Sequence, residues 1–209
     1  MNWLQSRRED PYYRMAKEMG LPSRAAFKLV EIQSRWRVIK RGDYVLDLGA
    51  APGGMTAVAA REAGEKGLVV AVDLADVKVG GYENVKVVKR DVFSEGLEYE
   101  LMGLTSGRFF DVVISDLSPK HIGDFDLLVL QQLDLLKQVR HIAFKTLRRG
   151  GNLVMKSFEH PEMRRYERET SRMFYKFERF VPRSSPRGSA EFFQIYLGFR
   201  RRGLGGGVP

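Results

Sequence analysis

Three features of the 209-residue chain predict an α/β fold with a mostly parallel sheet. Apolar, β-branched runs alternate with stretches of helical rhythm, several of those runs end on a carboxylate, and an acidic, glycine-rich turn joins the first run to a helix. Strands read as continuous apolar runs are those buried on both faces, as in a parallel sheet covered by helices. A chain of this length fits one domain with one core. The expected division is a basic helical extension over residues 1–36, the α/β domain over 37–199 and a flexible tail over 200–209.

Taken in order, Pro22-Ser23 offers a break and an N-cap before a helix from Arg24 to Trp36. On its wheel Ala25, Leu29, Ile32 and Trp36 share an apolar face, beside a polar arc of Arg24, Lys28, Glu31, Ser34 and Arg35, so Lys28 is expected to project from an anchored helix. Tyr44-Val45-Leu46 is the first strand, and Asp47-Leu48-Gly49-Ala50-Ala51-Pro52-Gly53-Gly54 is the turn before a helix from Met55 to Ala63. Glycines there let the backbone pass close to a ligand. The Gly-x-x-x-Gly-Gly spacing and the missing amide of Pro52 disfavour a dinucleotide, whereas the Asp47 carboxylate suits a cationic or amine-bearing ligand.

Leu68 to Val72 ends at Asp73, where a carboxylate can take both hydroxyls of a ribose; Asp76 competes for that role. Val85 to Lys89 leads to Asp91, which with Val92 and Phe93 could receive an adenine amino group and flank its ring. Asp111 to Asp116 is the fourth strand. Leu127 to Leu147 is helical, closing in a basic last turn and glycine stop at Arg148-Arg149-Gly150-Gly151. Asn152 to Met155 is the fifth strand with Lys156 at its tip, Met163 to Arg172 a helix, and Phe174 to Val181 with Phe192 to Phe199 a closing antiparallel pair.

Composition narrows the function. The 44% hydrophobic and 29% charged content suits a globular protein, and no apolar run approaches the roughly 18 residues of a membrane span. Met1 to Asp10 lacks the apolar core of a secretory signal, so the cytoplasm is the expected location. The absence of cysteine excludes disulfides and thiolate metal sites, and His121, His141 and His160 show no paired ligand spacing, so no metal is expected. Thirty-five Lys and Arg against 26 Asp and Glu leave a net charge of +9 and a pI near 9.8, with the excess concentrated at the two ends, which points to a nucleic-acid partner.

The motif set resembles the FtsJ/RrmJ-type ribose 2′-O-methyltransferases. The resemblance rests on Asp10-Pro11-Tyr12-Tyr13-Arg14-Met15-Ala16-Lys17, on Ser23-Arg24-Ala25-Ala26-Phe27-Lys28-Leu29, on the whole turn from Asp47 to Gly54, and on Ser115-Asp116, Val154-Met155-Lys156 and Ser189-Ala190-Glu191. It implies a Rossmann-like class I methyltransferase with a seven-stranded, mostly parallel sheet whose last strand is antiparallel. It also implies a catalytic tetrad falling on Lys28, Asp116, Lys156 and Glu191, and S-adenosylmethionine held by Gly49, Gly53, Met55, Asp73, Asp91 and Asp116, with Asp47 added on position alone. The implied substrate is RNA, expected to be a uridine of 23S rRNA in the large ribosomal subunit, methylated by a monomer.

The tetrad is chemically reasonable on its own terms. A ribose hydroxyl must lose its proton as it attacks a sulfonium methyl, and a lysine can take that proton only where burial or a second cation favours its neutral amine. Lys156 is the expected base, Lys28 its neighbour, Asp116 the group orienting Lys156, and Glu191 the group orienting Lys28 or the ribose. Two segments depart from the family pattern, Asp116-Leu117-Ser118-Pro119-Lys120-His121-Ile122-Gly123 and Glu191-Phe192-Phe193, and both should border the nucleoside pocket. The alternatives are a tRNA ribose methyltransferase, a catalytically silent RNA-binding assembly factor, which the intact tetrad opposes, and a methyltransferase for protein or small molecules, which leaves the basic ends unexplained.

Overall fold

The computed structural model describes residues 11–119, 123–185 and 188–200; the readings for residues 1–10, for Lys120 to Ile122 and for the tail beyond Arg200 lie outside them. In chain order the elements are α1 (Pro11–Glu18), α2 (Ala25–Trp36), β1 (Tyr44–Leu48), α3 (Gly54–Ala63), β2 (Leu68–Asp73), β3 (Val85–Lys89) and α4 (Leu97–Leu104). They continue with β4 (Phe110–Ser115), α5 (Phe125–Thr146), β5 (Leu147–Phe158), α6 (Pro161–Ser171), β6 (Phe174–Phe180) and β7 (Glu191–Phe199).

The strands form one seven-stranded sheet in the order β3-β2-β1-β4-β5-β7-β6. The pairs β2–β3, β1–β2, β1–β4 and β4–β5 are parallel, whereas β7 runs antiparallel to both β5 and β6. Alternation along the strands sorts side chains into two layers of core. Leu46, Leu48, Val70, Val72 and Val113 face a cluster with α4, α5 and α6, while Val45, Val69, Val112, Ile114 and Val154 face α2 and α3. Helix α2 is thus part of the packed unit, with Leu29 and Ile32 fully buried and Ala25 and Trp36 half-buried.

Several boundaries differ from the sequence reading, each for a tertiary reason. Ser23 does not cap α2: Arg24 holds the N-cap position and its side chain does not cap the helix, while the Ser23 hydroxyl is buried against Gly54. The Arg148 to Gly151 stretch is no helix stop. Helix α5 ends at Thr146 and the chain enters β5 directly, where Arg148 pairs with Asp111 of β4 and the register shifts between Phe110 and Val112. A Cβ at Gly151 would stand 2.8 Å from the Asp111 carbonyl oxygen, so the glycine serves close strand approach. Lys156 lies inside β5 rather than at its tip, because pairing with β7 carries the strand on to Phe158. The short α4, introduced by Gly96 at φ 73°, is an element the sequence reading lacked.

Candidate active site

In this strand order the chain reverses direction of travel between β1 and β4, and open α/β sheets bind ligands outside the carboxyl ends of the strands at such a point. The glycine-rich turn leaves β1 there and Asp116 leaves β4 beside it. The two segments touch: a Cβ on Gly49, whose φ is +81°, would meet Leu117 Cγ at 2.6 Å.

The turn is bonded internally. Gly49 and Ala50 donate to the Val72 carbonyl at 2.9 and 3.2 Å, Gly53 donates to the Ala50 carbonyl at 2.7 Å, and Ala51 donates to Asp73 Oδ2 at 2.9 Å. Pro52 has no amide to offer, so this stretch is a poor cradle for a pyrophosphate, in line with the spacing argument. Gly53 has φ +115°, and a Cβ there would meet Val79 Cγ2 at 2.6 Å. Met55 is buried in the cluster between α2 and α3, which leaves its backbone at the first turn of α3 as the part near the site.

Asp47 belongs to β1 and is fully buried. Its Oδ2 accepts a 2.6 Å bond from the Thr56 hydroxyl, and Oδ1 has no partner among the described residues. Burial, opposed by the Thr56 bond and reinforced by the charges of Asp116 and Asp73, pushes its carboxyl up to about 7. Asp73 ends β2 against the turn, accepting from Ala51 and Ala75 amides. Its competitor Asp76 points elsewhere, paired at 2.8 Å with Lys89. Asp91 caps its own turn through the Phe93 amide at 2.9 Å. Of its two apolar neighbours Val92 is buried in the core and Phe93 is exposed, so of the pair Phe93 is the one whose side chain reaches the surface.

The four tetrad positions converge from α2, β4, β5 and β7. Lys28 Nζ lies 3.3 Å from Asp116 Oδ1 and 2.8 Å from Glu191 Oε1. Lys156 Nζ lies 3.1 Å from Asp116 Oδ1 and donates to the Asp116 carbonyl at 2.7 Å. Lys28, Lys156 and Glu191 are all buried, so Lys28 does not project into solvent; the two carboxylates draw it inward. Burial pushes the Asp116 carboxyl up, but Lys156 and Lys28 outweigh it and hold it below the usual carboxylate range.

Three supporting residues escaped the sequence reading. Gln132 of α5 is buried and donates to the Lys156 carbonyl at 2.8 Å and to the Leu117 carbonyl at 3.3 Å, joining the two segments that carry Lys156 and Asp116. Ser185 donates to Glu191 Oε1 at 2.9 Å. Glu31, one turn along α2 from Lys28, accepts from the Arg183 amide, the Ser184 amide and the Ser184 hydroxyl at 2.8, 3.0 and 2.7 Å. A polar glutamine between Val129 and Leu136 on a buried helix face was the signal available for Gln132.

Known proteins resemble the chain along nearly its whole length. A ribosomal RNA large subunit methyltransferase E of Methanothermobacter thermautotrophicus is 40% identical over 198 residues, covering 95% of this chain and 93% of the relative. A protein of the same name from Oleidesulfovibrio alaskensis is 36% identical, covering 91% and 92%. A solved Plasmodium falciparum structure, described as a ribosomal RNA methyltransferase, matches the fold with a TM-score of 0.77 at 21% identity, covering 87% of this chain and all of its own. The profile of the FtsJ-like methyltransferases matches residues 21–199, the span that runs from just before the Lys28 helix to the end of β7, and the chain belongs to that family.

Proposed function

We propose that the protein transfers a methyl group from S-adenosylmethionine to a ribose 2′-hydroxyl of RNA, with a uridine of large-subunit rRNA as the target. The observation that carries this reading is the buried cluster in which two ammonium groups gather on Asp116 beside the glycine-rich turn. The names of the relatives support rRNA as the substrate class, and the net charge of +9 supports a polyanionic partner.

The residues fit the cofactor. Carboxylates at successive strand ends and a turn whose Gly49, Ala50, Ala51 and Gly53 amides are already occupied suit a ligand with hydroxyls, an amine and a cationic centre better than one with phosphates. When bound, S-adenosylmethionine supplies an electrophilic methyl on a sulfonium. Asp73 would accept from its ribose hydroxyls and Asp91 from its adenine amino group, Asp116 would serve its methyl-bearing end, and Gly49, Gly53 and Met55 would supply the backbone beside it. Asp47 acts through Thr56, pinning α3 to β1 under the turn.

On the RNA side Lys156, once it has released its own proton to solvent, accepts the proton of the 2′-hydroxyl as that oxygen becomes a nucleophile. Asp116 fixes Lys156 by side chain and carbonyl, while Lys28, held between Asp116 and Glu191, positions the ribose. Holding the nucleophile in place converts a bimolecular step into an intramolecular one. The test is to supply the purified protein with labelled cofactor and large-subunit rRNA from cells lacking it, and to map the product by nuclease digestion and mass spectrometry. A methylated uridine ribose is expected. Label on a base, or on tRNA alone, would overturn the assignment.

A further inference from the structure

Beside the tetrad a groove of about 660 Å³ runs between α2, β6 and the segment after β6, a volume within the roughly 300–1,000 Å³ of small-ligand sites. Its walls carry the half-buried rings of Tyr12 and Phe180 and the exposed guanidinium groups of Arg35 and Arg183. Arg35 lies over Trp36 and Phe180, at 4.9 and 5.8 Å to the ring centroids. Neither Arg35 nor Arg183 forms an ion pair with a described residue.

The acidic group of the groove, Glu31, has both oxygens occupied by the Arg183 amide and by Ser184, so it anchors the segment that carries Arg183. Arg179 is neutralised by Glu159 and Glu167. What remains open is positive charge beside aromatic surface, the combination that binds single-stranded nucleic acid by phosphate contact and base stacking.

The sheet register ties the groove to the chemistry. Lys156 pairs with Phe193, and Phe193 pairs with Phe180. Directly opposed residues share a face, so the row leads from Lys156 to Phe180 under α2, across two strand spacings, about 10 Å. Lys28 lies over the middle ring of that row, 5.5 Å from the Phe193 centroid.

We propose that this groove is a second RNA subsite, which holds a nucleotide flanking the target ribose, its phosphate on Arg35 and Arg183 and its base against Phe180 and Tyr12. The proposal rests on the function given above. It predicts that RNA grip and methyl transfer are separable, because neither arginine touches the tetrad.

The test uses the full chain and two probes, fluorescein-labelled dodecauridylate for binding and large-subunit rRNA for methyl transfer. In Arg35→Gln/Arg183→Gln the slope of log affinity against log salt should fall by about 1.4, two phosphate contacts at roughly 0.7 each. KM for rRNA should rise about tenfold, with kcat within twofold and cofactor affinity unchanged. A wild-type slope and KM in the double variant would overturn the subsite, even with methylation intact. Loss of self-association instead of RNA affinity would also overturn it and assign the groove to a second copy of the chain. If wild type methylates no RNA but the slope still falls in the variant, the subsite stands and the methyl-transfer reading fails.

Discussion

Lys28 and Lys156 meet at one atom, Asp116 Oδ1, which lies 3.3 Å from the first ammonium and 3.1 Å from the second. Removing that carboxylate leaves two buried cations with Glu191 as the remaining anion of the tetrad. Asp116→Ala should therefore destabilise the fold by about 3–5 kcal/mol at neutral pH. The Asp116 carboxyl sits below its ordinary value of 3.8, so its stabilisation is present above that pH and is lost as pH falls through the lower folded value. Urea denaturation of both proteins should show the gap at pH 7 and its narrowing below pH 3.8; a constant gap would refute the charge argument.

A base and a clamp are told apart at Lys156. Lys156→Arg keeps a cation near Asp116 but cannot give up its proton near neutral pH, so single-turnover methyl transfer should fall by about 10²–10⁴ while both ligands still bind. Lys156→Ala should fall as far, and in the wild type the single-turnover rate should rise with pH. Near-normal rates for Lys156→Arg would make the residue a positioning group.

Asp73 serves the turn and, under the proposed function, the cofactor. Asp73→Ala should weaken S-adenosylmethionine by roughly 1–3 kcal/mol in calorimetry, through loss of charge-assisted hydrogen bonds. Equal affinity in the variant would remove Asp73 from the ribose contact.

Asp47 gives a pH signature of opposite sign to Asp116. Its folded pKa of about 7 lies above the ordinary 3.8, so its proton stabilises the fold at low pH, and that contribution is lost as pH rises from 3.8 to about 7. Asp47→Asn should gain on wild type across this window, a trend readable by denaturant titration at pH 5 and pH 8. A difference independent of pH would mean that Asp47 is already ionised at the lower value.

Gly54 should tolerate no side chain. A Cβ there would lie 2.2 Å from Ser23 Oγ and 3.1 Å from the Ala26 amide nitrogen, driving the start of α2 outward and Lys28 with it. Gly54→Ala should cost about 1–3 kcal/mol of stability and lower kcat. Adding Ser23→Gly should recover part of both, and no recovery would place the damage elsewhere.

The strands were legible because their signals are local, whereas the four tetrad positions came from the family resemblance. Val45, Val69 and Val112 sit in apolar runs, and Asp116 and Lys156 follow such runs in sequence, so the sheet brings them together by topology alone. Other features have no local signature. Gly150 and Gly151 look like a helix stop until Arg148 finds Asp111, and Lys28 looks solvated until Glu191, 163 positions later, closes over it. Glu31 and Ser185 act through a segment whose path is set by contacts between α2 and the approach to β7.

The occupied amides of the glycine-rich turn bear on how ligands come and go. With Gly49, Ala50, Ala51 and Gly53 already bonded within the protein, the turn keeps its shape without a guest. Under the proposed function, cofactor and demethylated product, which share their adenosine and amino-acid ends, would therefore meet the same braced turn. Under that function their exchange would leave the turn's own bonds in place, and the methyl-bearing sulfonium would be the part by which the protein tells one from the other.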